Sequence, residues 1–392
     1  MTDVQVEAEL TSKWMVLSEE TPADGKLVAD EDAKIPGNRL ITAVDQRSWK
    51  DLHEAARNGK THLVKQLLKK GVATESRDEN GWTPLHAASL NGHSTLVKFL
   101  VQRGAVIGAE NDAGYTPLHH AAWSGHRRVA ELLLARGALA TASTEKGLTP
   151  LHCAAANGHI LLLQLLLEHG ADPVCPDHNQ WAPLHWATAN NRLHIIDFLI
   201  AQGSSPDLES LGGLTPLHIA AEIQSPEALR LLLAKGADAN AQDRLGRTPL
   251  SVASNNGSHE IVQLLLQRQA AVNLPDCYGR TALHTAAAGG HLRLVQMLVE
   301  EEAAGVDRRD SLSLTPLHRA ANCGHLAVAG YLLDHGADVN AVGWLDKTPL
   351  HLAAEKGHFP LVDLLMARGA NVTLQTRWME TIEEVAWESG PV

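Results

Sequence analysis

The sequence has few aromatic residues, few cysteines, no long apolar run and no block of positive charge. Phe, Trp and Tyr make up 4% of its 392 residues, and nine of them are Trp, so the placement of the tryptophans carries weight. Cys153, Cys175, Cys277 and Cys323 form no C-x-x-C pair, which argues against both a disulfide framework and a zinc site; they read as reduced, packing thiols. The longest apolar stretch, Ile160 to Leu167, is broken by Gln164 and falls far short of the roughly 20 residues a membrane helix needs. Asp3, Glu7 and Glu9 stand where a secretory signal would be basic and then apolar. Neither a membrane span nor export is expected. Lys and Arg number 33 against 45 Asp and Glu, a net charge of −12. The isolated pairs Lys69-Lys70, Arg127-Arg128 and Arg308-Arg309 do not make the basic stripe that neutralises a phosphate backbone, so nucleic acid is not expected as a partner. There is no G-x-S-x-G elbow, Gly-rich phosphate loop or clustered Cys/His nucleophile pair. No catalytic residue, cofactor or metal is expected.

What is present is a period. Thr-Pro-Leu-His or a close variant starts at positions 83, 116, 149, 182, 215, 248, 281, 315 and 348, in steps of 33 residues with a single step of 34. A fixed period of this length is the signature of stacked repeats. In the unit from Asp78 to Ala109, Thr83 suits an N-cap and Pro84 the first helical position, where a missing N–H does no harm. Leu85, Ala88, Ser89 and Gly92 follow at i, i+3, i+4 and i+7, a face of small residues that permits close stacking, and Gly92 suits a left-handed helix end. A second helix is expected from about Ser94 to Gln102, with Leu96, Val97, Phe99, Leu100 and Val101 buried and Gly104 ending it. Asn80-Gly81 has the chemistry of a tight turn. Of the 22 histidines, His53, His86, His119, His152, His185, His218, His284, His318 and His351 share the Leu-His slot. His93, His126, His159, His291, His325 and His358 follow the turn glycine. These positions are structural, and no local Cys/His spacing of the zinc type joins them.

Gly81-Trp82-Thr83-Pro84-Leu85-His86-Ala87-Ala88 and Gly336-Ala337-Asp338-Val339-Asn340-Ala341 resemble the ankyrin-repeat family. The resemblance covers residues 48–380, about ten repeats. It implies an all-α solenoid of helix-turn-helix plus hairpin repeats that acts as a non-enzymatic scaffold or adaptor for a protein partner, monomeric, in the cytoplasm or also the nucleus. Residues 1–47, with ten acidic and five basic residues, are expected to be mostly disordered; Leu10, Trp14 and Leu17 within them fall at helical spacing, as a docking motif or a strip along the first repeat. Residues 381–392 read as a capping half-repeat and tail, since Thr381 and Ala386 fall one period beyond Thr348 and Ala353. The first unit has Lys50-Asp51 in place of Thr-Pro, as suits a terminal cap. Ala182 and Ser251 each remove one member of the Thr/His pair that in this family ties the hairpin to the first helix. Gln224-Ser225-Pro226 replaces the Asn-Gly-His turn, with Ser225 as an ordinary cap.

In this family the residue before Thr-Pro begins the helix on the concave side. Its occupants here are Trp49, Trp82, Tyr115, Leu148, Trp181, Leu214, Arg247, Arg280, Leu314 and Lys347, and the first helix adds Trp123 and Trp186. Five of the nine tryptophans thus fall on one side of one end. The expectation is a partner-binding groove of Trp49, Trp82, Tyr115, Trp123, Leu148, Trp181, Trp186 and Leu214, roughly 40–50 Å long, able to take an extended peptide of about 15 residues or a helix of about 30. Two other readings stay open. Each Trp can lie flat against its own hairpin, or the row can stack a base or nucleotide-like small molecule, which needs cations beside it such as Lys50, Arg57 and Arg127-Arg128. Arg247, Arg280 and Lys347 suggest a ligand with acidic residues at its far end.

Leu211, Leu245, Tyr278, Leu312, Trp344, Leu345 and Trp378 are apolar at hairpin tips where early repeats have Glu79-Asn80 and Asp112-Ala113. They read either as a second contact surface or as mutual packing of adjacent hairpins. Asn240, Asn273 and Asn340, each eight residues after a Leu, resemble targets of the asparaginyl hydroxylase that acts on this family's fold. The single 34-residue step adds a residue between Glu302 and Val306, where the usual Gly-Ala turn is missing. Residues 302–306 should therefore exchange their amide hydrogens faster than any other repeat junction; slower exchange there contradicts this.

Overall fold

The computed structural model of the chain describes residues 43–300, 304–382 and 384. The expected disordered segment up to residue 42, with Leu10, Trp14 and Leu17, lies outside the described residues, as do 301–303 and nearly all of the closing half-repeat. Among the described residues there are twenty α-helices, one short 3-10 turn and no strand. They fall into two compact units, up to Ser204 and from Ser205 onward. The first holds five helix pairs, from Ala43–Arg57 with Thr61–Lys69 to Pro183–Ala189 with Leu193–Ala201; the second holds five more, from Pro216–Glu222 with Pro226–Ala234 to Pro349–Glu355 with Phe359–Ala367. The first helix starts at Ala43, inside the segment expected to be disordered, since no Pro or Gly interrupts residues 43–57. Within each unit successive first helices pack side by side, and so do most successive second helices.

Each repeat closes as local chemistry dictates. Thr83 is extended (φ −101°), Pro84 opens a helix that ends at Leu90, and Gly92 is left-handed at φ 73°. The second helix is Ser94–Gln102, with Leu96, Val97 and Leu100 wholly buried. Phe99 and Val101, expected in the core, are only half-buried; Phe99 instead lies between the Lys65 ammonium and the Arg103 guanidinium, each 5.2 Å from its ring centre.

Two sets of histidines fasten most repeats to their neighbours. The Nδ1 of His86 accepts the Thr83 N–H at 3.0 Å, so Nε2 carries the proton and donates it to the Tyr115 carbonyl of the next repeat at 3.0 Å. The Thr/His pair thus ties the first helix to the following hairpin. The same pair of bonds is made by His119 and His152 in the first unit, and by His218, His284, His318 and His351 in the second. The histidines after the turn glycine reach backward. His93, His159, His291 and His325 bond the Arg57, Trp123, Asn255 and Ala288 carbonyls at 2.8–3.0 Å. Their rings lie over the preceding turn, so that a Cβ on Gly92 would come 2.5 Å from His126 Nδ1.

The departures are partly repaired. At Ala182 the backbone N–H still reaches His185 Nδ1 at 3.0 Å. Ser251 Oγ accepts the Thr248 N–H at 3.0 Å, but its side chain is too short to reach the next hairpin. Gln224 takes the left-handed turn position at φ 56°, and Ser225 Oγ caps the following helix through the Ala228 N–H at 3.3 Å. At the 34-residue step, Ala304 donates to the Leu298 carbonyl at 3.0 Å, six residues back, where Ala270 reaches Leu265, five back.

Burial holds the pKa of His86, His119 and His318 down to about 4 and lowers those of His218, His284 and His351. The unfolded chain binds these protons near pH 6.5, more strongly than the folded one. Stability is therefore complete above that pH and is lost as the pH falls through it toward 4, by about 3 kcal/mol for each group shifted to about 4. Urea unfolding followed by circular dichroism should show a clearly lower midpoint at pH 5 than at pH 7.5; equal midpoints would contradict the neutral, buried state of these rings.

Candidate functional site

At Tyr115, Leu148 and Trp181 the residue before Thr-Pro, or its Ala-Pro variant, is fixed on both sides. Its N–H donates to a hairpin side chain four residues earlier, as Trp82 does to Asp78 and Trp181 to Asp177, both at 2.8 Å. Its carbonyl accepts the preceding repeat's histidine, as at Tyr115, Leu148 and Trp181. The side chains are less exposed than the sequence suggested. Trp181, Leu214 and Tyr115 are buried, with 3%, 8% and 9% of their surface accessible, while Trp49, Trp82, Trp123, Leu148 and Trp186 are half-buried.

Two clusters in the first unit explain this. Trp82 and Tyr115 both pack on the ring of His120, with centroids 4.2 and 5.8 Å away, and burial lowers the His120 pKa well below its ordinary value. Trp181 meets Trp186 edge-on at 5.5 Å, and the Trp186 indole N–H donates to Asp177 Oδ2 at 3.1 Å. His120 was missed from sequence; its signal was the doublet His119-His120, which no other repeat carries. At the start of the unit Trp49 lies edge-on to His53 at 5.7 Å, with the Lys50 ammonium 5.5 Å from its ring.

In the second unit the row changes chemistry. Arg247 Nε donates to Asp243 at 2.7 Å, Arg280 Nε to Asp276 at 2.8 Å, and Lys347 Nζ to Glu355 at 2.5 Å. These cations, expected to face an acidic ligand, have carboxylate partners within the chain: Arg247 and Arg280 neutralise the hairpin Asp243 and Asp276, the position where Trp186 makes a neutral bond to Asp177, and Lys347 pairs with Glu355 at the end of the following helix. The hairpin tips are exposed, Leu211, Leu245, Tyr278, Leu312, Trp344 and Trp378 each by 44–58%; Leu345 is half-buried and left-handed at φ 58°. Asn240, Asn273 and Asn340 use their carboxamide oxygens to accept N–H groups of Ala271, Gly305 and Asn371 at 2.7, 3.1 and 2.8 Å, tying each hairpin to the next.

Burial raises the Cys153 thiol to about 12 and the Cys175 thiol to about 11, and among the described residues no three His, Cys, Asp or Glu side chains gather to hold a metal ion. No helix among them is long and apolar enough to cross a membrane.

The model of the family described as ankyrin repeats (3 copies) matches overlapping stretches from residues 52–143 through 303–376. The chain belongs to the ankyrin-repeat family. A 42-residue stretch, 11% of the chain, is 57% identical to ankyrin repeat domain-containing protein 49 of Bos taurus and spans 18% of that relative. Among solved structures, the human ASB11 ankyrin repeat domain is 31% identical with a TM-score of 0.50, over 55% of this chain and 96% of that one. Ankyrin repeats are in general protein–protein interaction modules, and the ten helix pairs are an all-α ankyrin-repeat solenoid in class.

The Trp186–Asp177 bond is specific to one repeat of this ankyrin array. Replacing Trp186→Phe keeps the ring but leaves a buried carboxylate oxygen without its donor, which should destabilise the chain by about 1.5–3 kcal/mol. A thermal unfolding scan checks it. A melting temperature equal to that of the native chain would show the bond contributes nothing.

Proposed function

We propose that this chain is a non-enzymatic scaffold or adaptor, in the cytoplasm or the nucleus, that binds a segment of a protein partner through the aromatic row of its first unit. The observation that supports this is a set of half-buried side chains, Trp49, Trp82, Trp123, Leu148 and Trp186, several of them pinned: the Trp82 N–H by Asp78, the Leu148 backbone by Thr144 on one side and His119 on the other, and the Trp186 indole by Asp177. A half-buried ring that cannot rearrange presents apolar surface at little further loss of entropy, the property of binding hot spots. Tyr115 and Trp181 serve as the floor that fixes Trp82 and Trp186 rather than as contacts. Leu214, buried in the second unit, has too little accessible surface to add to the row.

Stacking of a base or nucleotide gains no support, because the positive charge nearest the row, Lys50, already covers Trp49 and Arg127 pairs with Glu131 at 2.7 Å. Hydroxylation of Asn240, Asn273 or Asn340 would act on side chains that hold successive hairpins together, so it would modulate the array rather than define its partner.

The test is proximity labelling in cells with the native chain beside a Trp82→Ala/Leu148→Ala variant whose circular dichroism is unchanged. Proteins whose recovery falls at least about tenfold would be partners of the row. Identical recovery from both chains would overturn this assignment of the binding surface.

A further inference from the structure

The hairpin tips of the second unit differ in kind from those of the first. In the first unit the tips carry Glu79-Asn80, Asp112-Ala113, Glu145-Lys146 and His178-Asn179. In the second, Leu211, Leu245, Tyr278, Leu312, Trp344 and Trp378 occupy successive tips, and all six are 44–58% exposed. Neighbouring tips are joined by backbone bonds, Arg244 to Gly212 at 3.0 Å, Cys277 to Leu245 and Ser311 to Tyr278 at 2.8 Å, and Arg377 to Leu345 at 3.0 Å. Two rings are also held from below, Tyr278 by the Arg280 guanidinium at 4.9 Å and Trp378 by the Lys347 ammonium at 5.9 Å. The apolar side chains therefore form one ordered line. An aromatic side chain presents about 150–250 Å² in full, so three half-exposed aromatics and three half-exposed leucines leave about 500 Å² of apolar surface. That is the size of the largest apolar patch on a typical monomer, which is often functional, and it is more than half of the ~800 Å² each partner gives to a standard interface.

The charges along the line say what covers it. Exposed Glu209 flanks the first tip and Arg244 sits on the second; Arg309 flanks the fourth, Asp346 sits on the fifth and Arg377 on the sixth. Arg309, which donates to the Val342 carbonyl, falls opposite the uncharged third tip on reversal; the other four read minus, plus, minus, plus in one direction and plus, minus, plus, minus in the other. A copy of the same line laid antiparallel sets Arg377 against Glu209 and Arg244 against Asp346 at both ends, whereas a parallel copy sets like against like. Self-complementarity on reversal is the property of a two-fold, isologous interface.

We propose that the hairpin tips of the second unit form a homodimer interface, in which Leu211 to Trp378 of one chain pack antiparallel on the same residues of a second copy. This goes beyond the partner-binding row and uses a different surface, so the two stand or fall separately. It also departs from the monomer expected of the sequence.

The test is the mass of the full chain by light scattering at concentrations up to about 100 μM, well above the micromolar Kd that such areas give at their weakest. The native chain should be a dimer, and Leu245→Glu/Tyr278→Glu a monomer with unchanged circular dichroism. Because a double apolar-to-acid change can also disturb folding, the charges provide the second arm. Arg244→Asp alone and Asp346→Arg alone should each weaken dimerisation at least about tenfold, and the two changes combined should restore it. A monomeric native chain would overturn the proposal, as would a dimer indifferent to the tip substitutions or a combined charge variant that stays as weak as either single one.

Discussion

The hydrogen bond from a buried, neutral histidine to the hairpin of the next repeat is the constraint on which this structure depends. In a stack of repeats no unit can bury its apolar face alone, so stability resides in the junctions. Each Thr/His pair uses both ring nitrogens, Nδ1 to hold its own helix start and Nε2 to hold the following hairpin. The histidines after the turn glycine add a second bond in the opposite direction. A neutral hydrogen bond contributes only about 0.5–1.5 kcal/mol net, yet a buried carbonyl deprived of its donor costs about 1–3, so what these rings chiefly supply is a fixed register between repeats.

That register is also what shapes the candidate surfaces. For His86, His119 and His152 the accepting carbonyl belongs to the residue before Thr-Pro or its variant, so the bond that joins two repeats also fixes the backbone at Tyr115, Leu148 and Trp181. The row is rigid because the stack is rigid. The hairpin tips of the second unit carry a run of large, exposed apolar side chains on successive repeats. The first unit spends its unusual residues on the row, and the second spends them on the tips.

How much of this was legible follows from the range of each interaction. Thr83, Pro84, Gly92 and Ser94 marked the helix limits because caps and left-handed turns are decided within a few residues, and the period carried the repeats. The ankyrin class was therefore readable throughout. The exposure of the row was not, because it depends on residues far along the chain or on the far side of a helix turn: Trp82 is covered by His120, 38 positions later, and Trp181 by Trp186. The pairing of Arg247 with Asp243 and Arg280 with Asp276 was written in the i, i+4 spacing, but that spacing acts here across a hairpin rather than along a helix. The depth of Phe99 was misjudged for a related reason, since a second-helix residue one step off the buried stripe is claimed by the cations of adjacent turns.

The most direct test of the central claim is the protonation and tautomeric state of the Leu-His slot histidines, read from ring ¹⁵N shifts at pH 6. The account predicts that His86, His119, His152, His218, His284, His318 and His351 are neutral there with the proton on Nε2. Charged rings, or protons on Nδ1, would mean that the bonds joining one repeat to the next are not the ones described.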